Sequence, residues 1–215
     1  MIEKIIKGIK YHLDEENLTA EVIAKRNGYE GDIIIPETVV FKKVAYRVTS
    51  IGECAFDGCF SLTSIVIPES VTSIGRRAFA DCQWLTTINI PNSVTSIGER
   101  AFIWCFALGS ITIPDSVKSI EWKAFSGCSL TEITIPSSVT NIGKEAFLDC
   151  ESLEEIIIGN SVTSIENRAF ACCESLFSIT YQGTIAQWKE IKFGEDWNEE
   201  IPARVVHCTD GDVEI

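Results

Sequence analysis

The chain has 215 residues, 46% of them hydrophobic and 23% charged, and carries a net charge of −13. That composition belongs to an ordered globular protein of one or two domains and excludes a disordered chain. The acidity excludes nucleic acid and a polyanionic membrane surface as partners, since both demand clustered Lys and Arg; it reads as a solubility device or as the complement of a cationic partner.

No stretch approaches the run of about 18 apolar residues that a spanning helix needs. Met1 to Leu13 (MIEKIIKGIKYHL) is too interrupted by Lys and Glu for a signal-peptide core. The expectation is a soluble chain without membrane insertion, either intracellular or a mature form whose export signal has been removed. Residues 1–32 contain IKYHL, a polar DEEN turn and LTAEVIA, the pattern of a β-hairpin.

From there the chain repeats itself. It reads LTSIVIPESVTSIGRRAFADCQW from Leu62, LTTINIPNSVTSIGERAFIWCFA from Leu85, LGSITIPDSVKSIEWKAFSGCS from Leu108, LTEITIPSSVTNIGKEAFLDCES from Leu130 and LEEIIIGNSVTSIENRAFACCES from Leu153, a period of 23 residues with one unit of 22. An earlier unit runs from Ile33 through an insertion to Ser61, and a degenerate one opens at Leu176. Residues 33–180 therefore form an array of about six units. Residues 181–215 depart from the repeat but carry Trp188, Ile191 and Trp197, enough apolar surface to cover the last coil.

Within a unit the apolar spacing changes character. Ile65 and Ile67 alternate with period two, as a short strand requires. Pro68 cannot donate to a ladder and ends that strand, and Glu69 and Ser70 suit a turn. Val71 to Ile74 reads as a second extended segment, Gly75 permits a corner, and RRAFADC is long enough for one or two helical turns. One such coil cannot bury its own apolar row, so it must stack on its copies, with parallel strands about 4.8 Å apart. Leu62, Leu85, Leu108, Leu130 and Leu153 then form one column, and Phe79, Phe102, Phe125, Phe147 and Phe170 another. The terminal segments close the ends, where apolar core and strand edges would otherwise be open.

The repeat LxxIxIPxSVxxIGxxAFxxC resembles that of the BspA-like leucine-rich repeat proteins, over nearly the whole chain. YEGDIIIPETVVFKKVAYRVTSIGECAF is similar to the opening segment of such proteins, and GTIAQWKEI with VVHCTDGD to their closing segment. The resemblance implies an α/β repeat solenoid: a right-handed leucine-rich repeat coil with 23-residue units, a parallel strand ladder and capping segments at both ends. It also implies a non-enzymatic surface or secreted protein, of the kind found in oral and gut bacteria and some mucosal protozoa and implicated in adhesion to host matrix proteins, host cells or other bacteria. The chain shows no signal peptide, so a cytoplasmic location stays open. It departs from the pattern at Gly159, which replaces the repeat proline, and at Glu121 and Glu166, which replace the corner glycine.

Candidate chemistry is sparse. Cys59, Cys82, Cys105, Cys128, Cys150 and Cys173 recur three residues after the repeat Phe. Stacked parallel thiols suit neither a disulfide nor a zinc tetrahedron, so a buried, reduced column is expected. Cys54, Cys172 and Cys208 lie off it, and Cys54 and Cys172 replace polar residues, which makes them the expected exposed thiols. The two histidines, His12 and His207, fall in opposite terminal segments. No nucleophile, zinc or phosphate-loop motif is present, and DGDVE near the end lacks the twelve-residue frame of a calcium loop. The expectation is no catalytic residue, no cofactor and no metal.

Two surfaces suit a protein partner from a host or another bacterium. On the strand face the residue between the two repeat isoleucines points outward: Val66, Asn89, Thr112, Thr134, Ile157 and Thr180. Ser64, Thr87, Ser110, Glu132, Glu155 and Ser178 run beside them. The plainer reading is that Ser and Thr there suit β-structure and solvent. On the other side Ile103, Trp104 and Phe106 replace small or polar residues of sister units, and Trp122 stands where others have Arg or Lys. Either these form an exposed patch, through which copies of the chain self-associate, or they fold down to seal gaps between coils. A glycan-binding module would need aromatics on the strand face, which has almost none.

Overall fold

In a computed structural model, which describes residues 1–215, the repeats stack as coils. Each coil is named below by its leading leucine. The first extended segment of each coil builds one ladder, pairing Ile65 with Ile88 and Ile133 with Ile156. The second builds another, pairing Ile51 with Ile74, Ile74 with Ile97 and Ile142 with Ile165. Partners lie 23 residues apart through most of the stack and 22 apart where Ile120 meets Ile142, so the short unit keeps its register. At the start of the chain Ile2–Ile6, Ile9–Asp14 and Thr19–Val22 form an antiparallel meander whose last strand joins Val44–Ile51 in parallel. At the end, Val205–Cys208 pairs in parallel with Ser178–Tyr181 and turns back on Gly211–Glu214.

The third side of each coil corrects the α/β expectation, for the repeats contain no helix. Ile185–Glu190 is a helix, six residues long, and it lies in the C-terminal segment, where Thr184 and Gln187 form a capping box. RRAFADC is instead a succession of tight turns. Ala78, Ala80 and Cys82 donate to the carbonyls three residues back, while Arg77, Phe79 and Asp81 donate to Glu99, Ala101 and Ile103 of the next coil at 2.8 to 3.0 Å. A helix would aim its N–H groups along its own axis and none at the neighbouring coil, whereas this arrangement sends every second one across to the neighbour. Its cost is a left-handed backbone at two positions per coil, Arg77 and Asp81 here, Arg100 and Trp104 in the next. Each such residue costs roughly 1–2 kcal/mol, which the shared hydrogen bonds offset.

The corner glycine also has another role than a left-handed turn. Gly75 and Gly98 have ordinary backbone angles, but a Cβ at either would lie 2.7 to 2.8 Å from the backbone of the preceding coil. Absence of a side chain lets the coils approach.

The core is one continuous column of buried residues from Ile9 to Val206. Phe56, Phe79, Phe102, Phe125, Phe147 and Phe170 stack face to face with ring centroids 5.0 to 5.5 Å apart. Tyr29 closes the stack at one end and Trp197 at the other. The column cysteines are buried and unbridged, and their thiols donate across the coils: Cys82 to the Phe56 carbonyl and Cys128 to that of Phe102, both at 3.1 Å. Burial pushes the Cys82 and Cys128 thiols well above their ordinary range. Cys54 and Cys172 are half-buried rather than open. The Cys172 thiol is pushed up to about 11 by burial and by Glu200 beside it.

Two outcomes follow from this packing. Phe125→Ala removes a ring held between two others and should cost about 3–5 kcal/mol, read from urea denaturation; a loss below about 1 kcal/mol would show the stack to be loose. The thiols make folding sensitive to alkali, because in the unfolded chain they titrate near pH 8.5 and in the folded one much higher. Below that pH both states hold the proton and stability is complete; above it the unfolded state alone releases it, so Tm should fall as pH rises. Melting curves of Cys128→Ala should show a shallower fall, and an unchanged slope would clear the column of responsibility.

Candidate binding surface

The strand-face residues line up as a row. Ile34 pairs with Val66, Val66 with Asn89, Thr134 with Ile157, Ile157 with Thr180 and Thr180 with His207. Val66, Asn89, Thr112 and Thr134 are exposed, and Ile157 and Thr180 are half-buried. The row has one interruption. Ser110–Ile113, the segment that should join Thr87–Asn89 to Glu132–Ile135, makes no backbone hydrogen bond to either, and only Gly109 just before it accepts from Thr131 at 3.1 Å.

The same junction is open in the second ladder, where Ser96–Ile97 ends one sheet and Ser119–Ile120 begins another. Elsewhere the coils are clasped at three positions. Thr86 donates to the Thr63 carbonyl, Thr95 to Thr72 and Gly98 to Ile74. Their counterparts in the next coil, Gly109, Lys118 and Glu121, donate to nothing in the preceding one. On the turn side the junction stays closed: Arg100, Phe102 and Trp104 donate to Trp122, Ala124 and Ser126 at 2.8 to 2.9 Å. The Leu85 and Leu108 coils are therefore joined along their turns and splayed along their strands.

The sequence of the Leu108 coil accounts for the splay. Lys118 and Gly109 lack the hydroxyls with which Thr95 and Thr86 add a bond to the preceding coil. Glu121 puts a Cβ at the corner that glycine leaves free. Glu166 makes the same replacement without opening its junction, because its carboxylate accepts from Lys144 N of the preceding coil at 2.9 Å; Glu121 instead accepts from Ser119 in its own coil. Trp122 adds bulk, with its ring 3.9 Å from the Arg100 guanidinium.

A groove of about 880 Å³ opens over this splayed region. Thr112, Thr134 and Ile157 of the expected row line it, and Ile88, Ile111 and Ile133 form its apolar floor. Ile88 is half-buried whereas its counterparts Ile65, Ile133 and Ile156 are buried, so the splay uncovers core. Asp115, Glu132 and Glu155 stand at the rim, and none of them forms an ion pair. The repeat pattern alone does not mark Asp115 or the floor isoleucines as part of a groove. The signal was the joint departure of Gly109, Lys118 and Glu121 from the repeat, each mild alone.

The second candidate surface is only partly assembled. Trp104 and Phe106 are exposed and together line a cleft of about 270 Å³ with Gly127, Ser129 and Asp149. Trp104 lies across Gly127, where a Cβ would meet its ring at 2.8 Å. Ile103 is buried at 3% exposure, contrary to its expected place in the patch. Trp122 is half-buried against Arg100, the gap-sealing alternative. His12 contacts Glu3 and His207 contacts Asp212, each within its own terminal hairpin.

The sequence profile of the BspA type leucine rich repeat region matches residues 37–108 and 76–198, in six copies. The chain belongs to that family. A leucine-rich repeat protein from Bacteroides ovatus is 35% identical with a TM-score of 0.78, covering 94% of this chain and 57% of its own, so the chain spans little more than half of that relative. The T. pallidum leucine rich repeat protein is 28% identical with a TM-score of 0.76, covering 90% of this chain and 86% of its own. The pneumococcal vaccine antigen PcpA, at 19% identity and a TM-score of 0.55, covers 98% of this chain and 50% of its own and shares the fold. No curated protein matches the sequence. This member of the BspA-type family is thus a repeat protein of mostly parallel strands, and no helix in it is long and apolar enough to cross a membrane. Because Trp122 is more deeply buried than Trp104, Trp122→Ala should lose about 1–3 kcal/mol and Trp104→Ala clearly less, compared by thermal melting; equal losses would contradict the different burial of the two rings.

Proposed function

We propose that this chain is a non-enzymatic protein-binding or adhesion protein, displayed at a cell surface or secreted, which engages a host or bacterial protein through its strand face. In this reading the array is a right-handed solenoid of 23-residue units, and the segments 1–32 and 181–215 are the caps that keep its ends from pairing with other chains. The observation that carries the reading is the groove on the strand face, where Thr112, Thr134 and Ile157 border an apolar floor. Extended solenoid faces serve as binding surfaces because one rigid scaffold presents many side chains at fixed spacing. Membership of the BspA-type family supports the same reading.

A second reading, assembly of the chain with itself, rests on Trp104 and Phe106, neighbouring exposed aromatics on the opposite flank. Labelled protein bound to host cells and to immobilised matrix proteins separates the two. Thr112→Arg with Thr134→Arg should reduce binding at least tenfold, while Trp104→Ser with Phe106→Ser leaves it unchanged and the molar mass constant across concentrations. Retained adhesion in the arginine variant, or a rising mass abolished by the serine variant, would favour assembly over strand-face binding.

A further inference from the structure

The splayed junction offers more than a surface of the right shape. Ser110–Ile113 occupies a strand's place in the middle of the row and alternates exposed with buried side chains, yet its N–H and C=O groups pair with neither neighbour. The facing edges of Thr87–Asn89 and Glu132–Ile135 are left open by the same segment. Backbone groups so placed are a template for another strand, since peptide N–H and C=O seek partners wherever water is partly excluded. Elsewhere in the repeat array every strand of this row has a strand beside it.

The surroundings select among strands. Ile88 and Ile111 lie at the floor and offer contact to an apolar side chain. Asp115, Glu132 and Glu155 stand at the rim without a cation, in a chain of net charge −13. Glu132 and Glu155 occupy directly paired positions on adjacent strands, an arrangement of like charges that costs stability unless something positive lies between them. An acidic extended segment would be repelled there; one alternating apolar with basic residues meets the floor with one face and the rim with the other.

The geometry points to a β-strand acceptor site at the junction of the Leu85 and Leu108 coils, which takes an extended, Lys- or Arg-bearing polypeptide segment of a partner protein. The segment pairs its main chain with the open edges and its cations with Glu132, Glu155 and Asp115. This rests on the strand-face reading above and narrows it to one place and one chemistry.

The probe is a short, end-capped peptide alternating Val and Lys, titrated into the full chain by fluorescence anisotropy, beside a Val-Glu peptide and a Val-Lys peptide with N-methylated backbone amides. The Val-Lys peptide should bind saturably and slow hydrogen exchange at Ser110–Ile113; the other two should bind at least tenfold more weakly. Glu132→Gln with Glu155→Gln removes two exposed charges without altering the strands and should weaken the Val-Lys peptide at least tenfold. Equal binding of the N-methylated peptide would reduce the contact to charge alone and overturn the acceptor site, as would unchanged affinity in the Gln variant or no saturable binding of the Val-Lys peptide. If the peptide fails while Thr112→Arg with Thr134→Arg still abolishes adhesion, the strand face remains the binding surface and only the acceptor site falls.

Discussion

A coil of this repeat has no inside of its own. Its leucine, isoleucine, phenylalanine and cysteine side chains are covered only when another coil lies on each side, so the contact between successive coils is the interaction on which everything else depends. Three ladders carry it: two of short parallel strands and one of turns, with the phenylalanine stack between them. The turn ladder explains a backbone that would otherwise look strained. Arg77, Asp81 and their equivalents accept a left-handed conformation because the N–H they redirect is bonded to the next coil. The thiol column follows the same logic: Cys82, Cys105, Cys128, Cys150 and Cys173 each reach a phenylalanine carbonyl one coil away, while Cys59 at the start of the column accepts from the Tyr29 N–H.

Since each coil contacts only its neighbours, a local change at one junction is not averaged over the molecule. The Leu85 to Leu108 junction illustrates this. Loss of two hydroxyl clasps, a side chain at the glycine corner and a tryptophan beside Arg100 release both strand ladders, yet the turn ladder and the Phe102 to Phe125 stack hold, with the rings 5.4 Å apart and nearly parallel. The splay thereby shapes the strand face, uncovering Ile88 and leaving Ser110–Ile113 without partners, while strands at both ends of the stack remain paired. The surface available to a partner is a consequence of how one coil fails to close on another.

The charge distribution works with that geometry. Carboxylates at Asp115, Glu132 and Glu155 collect at the groove, whereas Arg77, Lys123 and Arg168 lie on the turn side and are occupied by Asp57, Glu145 and Glu199. The chain's net negative charge thus has an unpaired component on the strand face, which leaves the groove with a negative potential.

The amino-acid sequence by itself determined the period, the columns of Leu, Phe and Cys, the outward row from Val66 to Thr180 and the membership of a BspA-type family, because all of these are written as recurrence along the chain. It misjudged RRAFADC, which carries helix-forming residues: local propensity cannot show that every second N–H finds a partner 22 residues away. It also grouped Ile103, Trp104, Phe106 and Trp122 by their shared departure from the repeat, although stacking buries the first, packs the last against arginine and leaves the middle two in solvent. Glu121 and Glu166 are the same substitution to a reader of the sequence. Only the tertiary structure distinguishes them, because whether a carboxylate bonds across a junction or within its own coil depends on the neighbouring coil, which no local pattern describes.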